Sequence, residues 1–246
     1  MVSCEKGRPW VISFSGLDGA GKSTQIENLR QSLASAGFRT KLLTFWDDVV
    51  VGVKFREGFV HKVYKSERGI GAPGKPVARR DKNVRAWYLT VARSILYLLD
   101  AIHLRRILSR GNNSSADVVI VDRYIYDELV NLNLARWPAR AFVRLVRSLV
   151  PTPDIAFLLD ADPEAAYARK PEYPVDFMRL CRASYFELAR LLGTMVVVPP
   201  LDIAQASEQV LRAAGSILAS RKSAESPDEQ AARNYTPARI NNTGTD

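Results

Sequence analysis

Phe14-Ser15-Gly16-Leu17-Asp18-Gly19-Ala20-Gly21-Lys22-Ser23-Thr24 is the stretch on which the reading of this chain turns. From Gly16 to Ser23 it fits the spacing Gly, four residues, Gly-Lys-Ser, the pattern of a phosphate-binding loop. Each position has a physical job in such a loop. Glycines let the backbone turn tightly and bring its N–H groups onto phosphate oxygens. A helix opening near Lys22 points its positive dipole end at the anion. Lys22 adds a full charge at the outer phosphates, and the Ser23 hydroxyl is placed to ligate Mg²⁺. The expected nucleotide-binding residues are therefore Gly16, Leu17, Asp18, Gly19, Ala20, Gly21, Lys22, Ser23 and Thr24.

The flanks suit that reading. Val11–Phe14 is a short apolar run, expected to be a buried strand that ends in the loop. Lys22–Ala36 carries Ile26, Leu29 and Leu33 at helical spacing, with Gly37 as its stop. Thr40–Trp46 reads as a second strand, Val118–Val121 as a third, Ile155–Leu159 as a fourth and Met195–Val198 as a fifth. Helices are expected over Val49–Tyr64, Val84–Arg110, Tyr124–Ala135, Pro138–Leu149, Asp176–Leu192 and Asp202–Leu218, with a loop over Lys65–Asn83. Alternating strands and helices predict an α/β fold: a three-layer sandwich of the P-loop NTPase kind, with a five-stranded parallel sheet and helices on both faces. One domain is expected over residues 1–220, with a disordered tail over 221–246, where apolar residues are few.

Composition narrows the classes. The chain has 246 residues, 47% hydrophobic and 25% charged, ordinary values for a globular protein. Cys4 and Cys181 lie far apart, so neither a disulfide framework nor a zinc site is expected, and a cytoplasmic setting fits. No signal segment or membrane span is read from the sequence. The net charge of +9 is concentrated: Lys54–Arg106 holds thirteen Lys/Arg against four Asp/Glu. Such a stretch suits a polyanionic ligand or a solvated basic face.

Two further positions carry chemistry. Asp122 ends the third strand, where a loop of this type needs a carboxylate for Mg²⁺, the other reading being a helix cap. Arg123 follows and can meet a phosphate with a two-pronged guanidinium. His61 and His103 sit on expected helices without partners at useful spacing, so solvated or capping roles are expected of both. No GxSxG, HExxH, CxxC, NKxD or LSGGQ pattern occurs.

Taken together, these blocks resemble the thymidylate kinase family of the P-loop nucleoside monophosphate kinases. The carriers are Phe14–Thr24, then Asp122-Arg123-Tyr124 after an apolar strand, then Pro153-Asp154 through Leu159-Asp160-Ala161-Asp162-Pro163-Glu164 to Arg169. The last is Asp176-Phe177 with Arg179, Arg182, Tyr185 and Leu188-Ala189. The resemblance spans roughly residues 10–219. It implies phosphoryl transfer from ATP to dTMP with Mg²⁺, with Ser23 and Asp122 at the metal. It also implies Lys22, Asp18, Arg123 and Arg169 as the catalytic set, Arg169 opening a lid over Ala161–Val175. The acceptor would be held by Asp18, Arg123, Arg93, Tyr88 (or Trp87) and Arg56. Expected partners are ATP and a nucleoside monophosphate, with neither membrane nor nucleic acid; a homodimer is the oligomer compatible with this.

The chain departs from the family pattern after its second strand. An arginine-bearing segment usual there is replaced by Phe45-Trp46-Asp47-Asp48, whose carboxylates oppose a monophosphate. Two other readings therefore stand beside the first. One is a P-loop kinase for another nucleotide, a nucleoside or a sugar phosphate. The other is a non-catalytic, nucleotide-dependent binding module.

Overall fold

A computed structural model describes residues 8–50, 87–109 and 115–233, with backbone alone at 87–90 and 220–233. Five strands form one sheet: β1 (Trp10–Gly16), β2 (Thr40–Thr44), β3 (Val118–Asp122), β4 (Ile155–Leu159) and β5 (Met195–Val198). Their spatial order is β2-β3-β1-β4-β5, and every pairing is parallel. The expected sheet is therefore present. Its central strands are apolar on both faces because helices cover both.

The helices are α1 (Lys22–Ser35), α2 (Trp87–Ser109), α3 (Ile125–Leu129), α4 (Trp137–Leu149), α5 (Pro163–Arg169), α6 (Val175–Leu192) and α7 (Ile203–Arg233). Two apolar layers follow from the alternation of side chains along each strand. Ile12, Phe14, Val118, Ile120, Ile155, Phe157 and Leu159 pack towards α1 and α7. Val11, Val119, Val121, Ala156 and Leu158 point the other way, towards α2, α3, α4 and α6. The outer pair is tied by polar contacts as well. Buried Gln25 on α1 accepts from the Ser207 hydroxyl (2.8 Å) and donates to the Ile203 carbonyl (3.2 Å).

Several expected elements are adjusted. β2 stops at Thr44, and Phe45–Val49 form a π-helical turn closed by the Val50 N–H on the Phe45 carbonyl (3.0 Å). Phe45 and Val49, four residues apart, are both buried, and the wider turn brings both inward. The helix expected over Tyr124–Ala135 is only α3. Asn131 ends it by donating from Nδ2 to the Asp127 (3.1 Å) and Glu128 (3.2 Å) carbonyls. The expected lid segment, Ala161–Val175, contains a helix. Asp162 accepts from the Ala165 N–H (3.0 Å) and, with Pro163 next, starts α5 inside it. α7 runs on to Arg233, past the expected end at Leu218, over a stretch rich in helix formers, while 234–246 lie outside the described residues. The helix expected over Val49–Tyr64, the Lys65–Asn83 loop, His61 and Arg56 also fall outside them, apart from the first two residues of that helix. Among the described residues no helix is long and apolar enough to cross a membrane.

Candidate active site

The loop between β1 and α1 lies at the carboxyl ends of the strands, beside the point where the chain order reverses across β1. Gly16 is required by its neighbour. Its φ is +140°, and a Cβ there would stand 2.3 Å from the Leu159 carbonyl oxygen of the paired strand β4. Gly19 is required by α5 in the same way, with a Cβ 2.5 Å from the Ala166 carbonyl oxygen. α1 opens with no acidic residue in its first turn, so no carboxylate competes for its N–H groups. Ser23 and Thr24 are exposed on that turn.

Lys22 is turned back into the loop. Its ammonium donates to the Gly16 (2.9 Å) and Leu17 (2.8 Å) carbonyls, and the residue is 7% exposed. Burial lowers its pKa to about 8, aided by the nearby Arg123 and opposed by Asp18, Asp127 and Asp122. An arriving phosphate offers this ammonium the countercharge that the carbonyls lack.

Asp122 is the last residue of β3, in register with Phe14 on one side and Thr44 on the other. Burial pushes its carboxyl pKa up, against the pull of Lys22 and Arg123. It does not cap the following helix. That task falls to Asp127, whose carboxylate accepts from the Tyr124 N–H (3.1 Å). Arg123 is the sole non-glycine with positive φ among the described residues, at +65°, and its N–H donates to the Phe14 carbonyl (2.9 Å). Its guanidinium pairs with Asp18, and Nη1 lies 3.6 Å from Asp127 Oδ1. Burial works against that charge, but Asp127 and Asp18 more than restore it, and the guanidinium pKa rises.

Asp18, Lys22, Asp122 and Arg123 are thus drawn from two segments, the loop and the end of β3, into one cluster of interacting charges. Arg93 lies elsewhere in the pattern: its charge acts on the buried Tyr97 hydroxyl, whose pKa rises through burial and the Glu128 carboxylate. Tyr88 and Trp87 open α2, but only their backbone is described. Arg169 ends α5 and is exposed, and Lys170 beside it pairs with Glu172 (3.1 Å). His103 takes a capping role, its Nδ1 standing 2.7 Å from the Val49 carbonyl, which requires the proton on Nδ1.

Two groups escaped the sequence reading as site components. Asp127 accepts from the Ser15 hydroxyl (2.6 Å) and the Tyr185 hydroxyl (2.7 Å) as well as capping α3. Arg182 grips Asp160, at the end of β4, with two bonds of 2.6 Å. An acid placed three residues after a helix start marks Asp127 as a cap. Its other partners are remote in sequence, so nothing local gives them away.

Among the described residues no group of three or more His, Cys, Asp or Glu could hold a metal ion. Ser23 and Asp122 offer two hard oxygens, which suits Mg²⁺ completed by phosphates and water.

No protein-family model matches the chain. It is similar to a probable thymidylate kinase of Methanosphaera stadtmanae, 24% identical over 201 residues covering 79% of this chain and 92% of that protein. It is also similar to a thymidylate kinase of Dinoroseobacter shibae, 29% identical over 195 residues covering 73% of this chain and 83% of that one. The fold matches the crystal structure of thymidylate kinase from Ehrlichia chaffeensis with a TM-score of 0.53 at 16% identity, over 85% of this chain and 100% of that one. With the loop, the strand order and the Asp122-Arg123-Tyr124 corner in place, the chain is similar in sequence to thymidylate kinases along most of its length and shares the fold of one of them.

Proposed function

We propose that the chain is an ATP-dependent nucleoside monophosphate kinase that phosphorylates dTMP to dTDP. The observation that carries this is the pairing of Arg123 with Asp18 beside Lys22. A cation suited to an acceptor phosphate adjoins one suited to a donor phosphate, and phosphoryl transfer needs the two aligned.

In this reading the loop N–H groups, Lys22, Ser23 and Thr24 bind the donor. Lys22 exchanges the Gly16 and Leu17 carbonyls for phosphate oxygens and places its charge where the transition state gains negative charge. Arg123 holds the acceptor phosphate, and Asp18 gives up its hold on the guanidinium as that phosphate enters. Arg169, exposed at the end of α5, closes from the lid side and excludes water. Ser23 and Asp122 would hold Mg²⁺, which when bound screens the donor phosphates and draws charge from the leaving oxygen. Arg93, Tyr88 and Arg56 are proposed as further acceptor-binding residues, and the setting is the cytoplasm. A second copy of the chain is the proposed partner, through the exposed apolar side of α2.

A second reading, transfer to a different acceptor, is favoured by the turn after β2. Asp47 and Asp48 are exposed at the carboxyl end of that strand, and the Asp48 carboxylate accepts from the Thr44 N–H (2.7 Å). A panel of dTMP, dUMP, other monophosphates, thymidine and sugar phosphates with Mg-ATP separates the two. The proposal expects dTMP to be the preferred acceptor. Lys22→Ala should lower transfer by about a hundredfold or more with an unchanged circular dichroism spectrum. Lack of turnover on every acceptor, or full activity in that variant, would refute the kinase reading.

A further inference from the structure

Asp127 lies outside every motif yet sits at the centre of the site. Its carboxylate is 3% exposed. Ser15 of β1 and Tyr185 of α6 donate to it at 2.6 and 2.7 Å, the Tyr124 N–H donates at 3.1 Å, and Arg123 Nη1 stands 3.6 Å away. Four contacts from three directions leave this side chain one position.

Arg123 needs such an anchor. Its backbone is in the left-handed region, at φ +65°, which side chains rarely adopt. Two carboxylates hold its guanidinium. Asp18 is 21% exposed and stands in the glycine-rich loop; Asp127 is buried behind it. An entering phosphate competes with Asp18 for the guanidinium and reaches it from the open side. The buried carboxylate has no such competitor, so it keeps the guanidinium in place after Asp18 lets go.

We infer that Asp127 is a positioning residue for the acceptor: it fixes Arg123 at the phosphate position, and Tyr185 ties that arrangement to α6, the helix that follows the lid segment. The inference rests on the assignment of Arg123 to the acceptor phosphate. It goes beyond that assignment by naming the group that makes Arg123 available and by linking it to α6.

Steady-state kinetics with dTMP and Mg-ATP test it in Asp127→Asn, Arg123→Ala and the double variant. Asn keeps the shape and removes the charge. Asp127→Asn should raise the KM for dTMP about tenfold or more and leave the KM for ATP within about twofold. In the Arg123→Ala background the same change should add less than about twofold, because its route runs through that guanidinium. Equal rises in both KM values, or an undiminished effect without Arg123, would overturn the inference. Should Asp127→Asn fail to fold, Tyr185→Phe takes its place. It keeps the carboxylate, and a rise in the KM for dTMP alone of about two- to fivefold is expected, no change being the contrary result. A separate arm needs no turnover. The Arg123 side-chain N–H resonance should exchange slowly with water in the parent chain and quickly in the Asp127 variant. Slow exchange in both overturns the inference even if dTMP proves not to be the acceptor.

Discussion

At the scale of the residue, charge and burial conflict at Lys22. Its pKa lies at about 8 in the folded chain, against 10.5 for an unhindered lysine, because burial disfavours the ammonium. The folded state therefore binds this proton less well than the unfolded one. Below about pH 8 the group is charged in both states and the folded chain bears the full burden of the buried charge. Between about pH 8 and 10.5 that burden is relieved, so Lys22 makes stability rise with pH across this window. Donor phosphates reverse the shift, since they supply the countercharge. ATP binding between pH 8 and 9 should accordingly take up roughly half a proton or more. Titration calorimetry in two buffers of different ionisation enthalpy measures this directly. The uptake should vanish in Lys22→Ala, and its absence from the parent chain would contradict the depressed pKa.

At the scale of the element, α6 is the helix that joins the segment around α5 to the sheet. Its sequence spaces Met178, Tyr185, Leu188 and Leu192 along a buried side. Arg182 adds a polar latch, gripping Asp160 through both nitrogens and lying 5.6 Å from the Phe186 ring centre. The Asp160 side chain is 6% exposed, so removing its partner strands a nearly buried carboxylate. Arg182→Leu should lower the unfolding free energy by about 2 kcal/mol, less than for a fully buried pair because the guanidinium is partly solvated. Urea denaturation reads this. A change within about 0.5 kcal/mol would show that the apolar side alone holds α6. On the opposite side of the loop, Gly19 abuts α5 at its Ala166 carbonyl. The loop is thus in contact with α5, and the end of β1 is linked to α6 through Asp127, which accepts from both Ser15 and Tyr185.

At the scale of the whole molecule, the sheet is covered on both faces, while among the described residues a stripe of apolar side chains on α2 is exposed. On α2, Val91 (51%), Ile95 (54%), Leu99 (44%) and Ile102 (38%) are exposed and recur at three- and four-residue intervals along one side. The expected homodimer has a candidate surface here. Ile95→Glu should sediment as a monomer where the parent chain sediments as a dimer; a monomeric parent at tens of micromolar would end that expectation. The sequence by itself determined the parallel sheet, because runs such as Val118–Val121 and Ile155–Leu159 are apolar at every position and only strands covered on both faces tolerate that. It also determined the loop from Gly16 to Ser23, whose glycines, lysine and serine carry their function within eight consecutive residues. Helix lengths were less legible. The Asn131 side chain ends α3 early, and the Asp162 cap with Pro163 starts α5 inside the expected lid, and such local bonds compete with periodicity. Only the tertiary structure decided the surroundings of Arg123 and Lys22. Asp127 meets Ser15, Arg123 and Tyr185 across three elements, and Lys22 is depressed by burial and a neighbouring Arg123 about a hundred positions away. Burial and through-space charge depend on which strands lie side by side, and spacing along the chain does not record that.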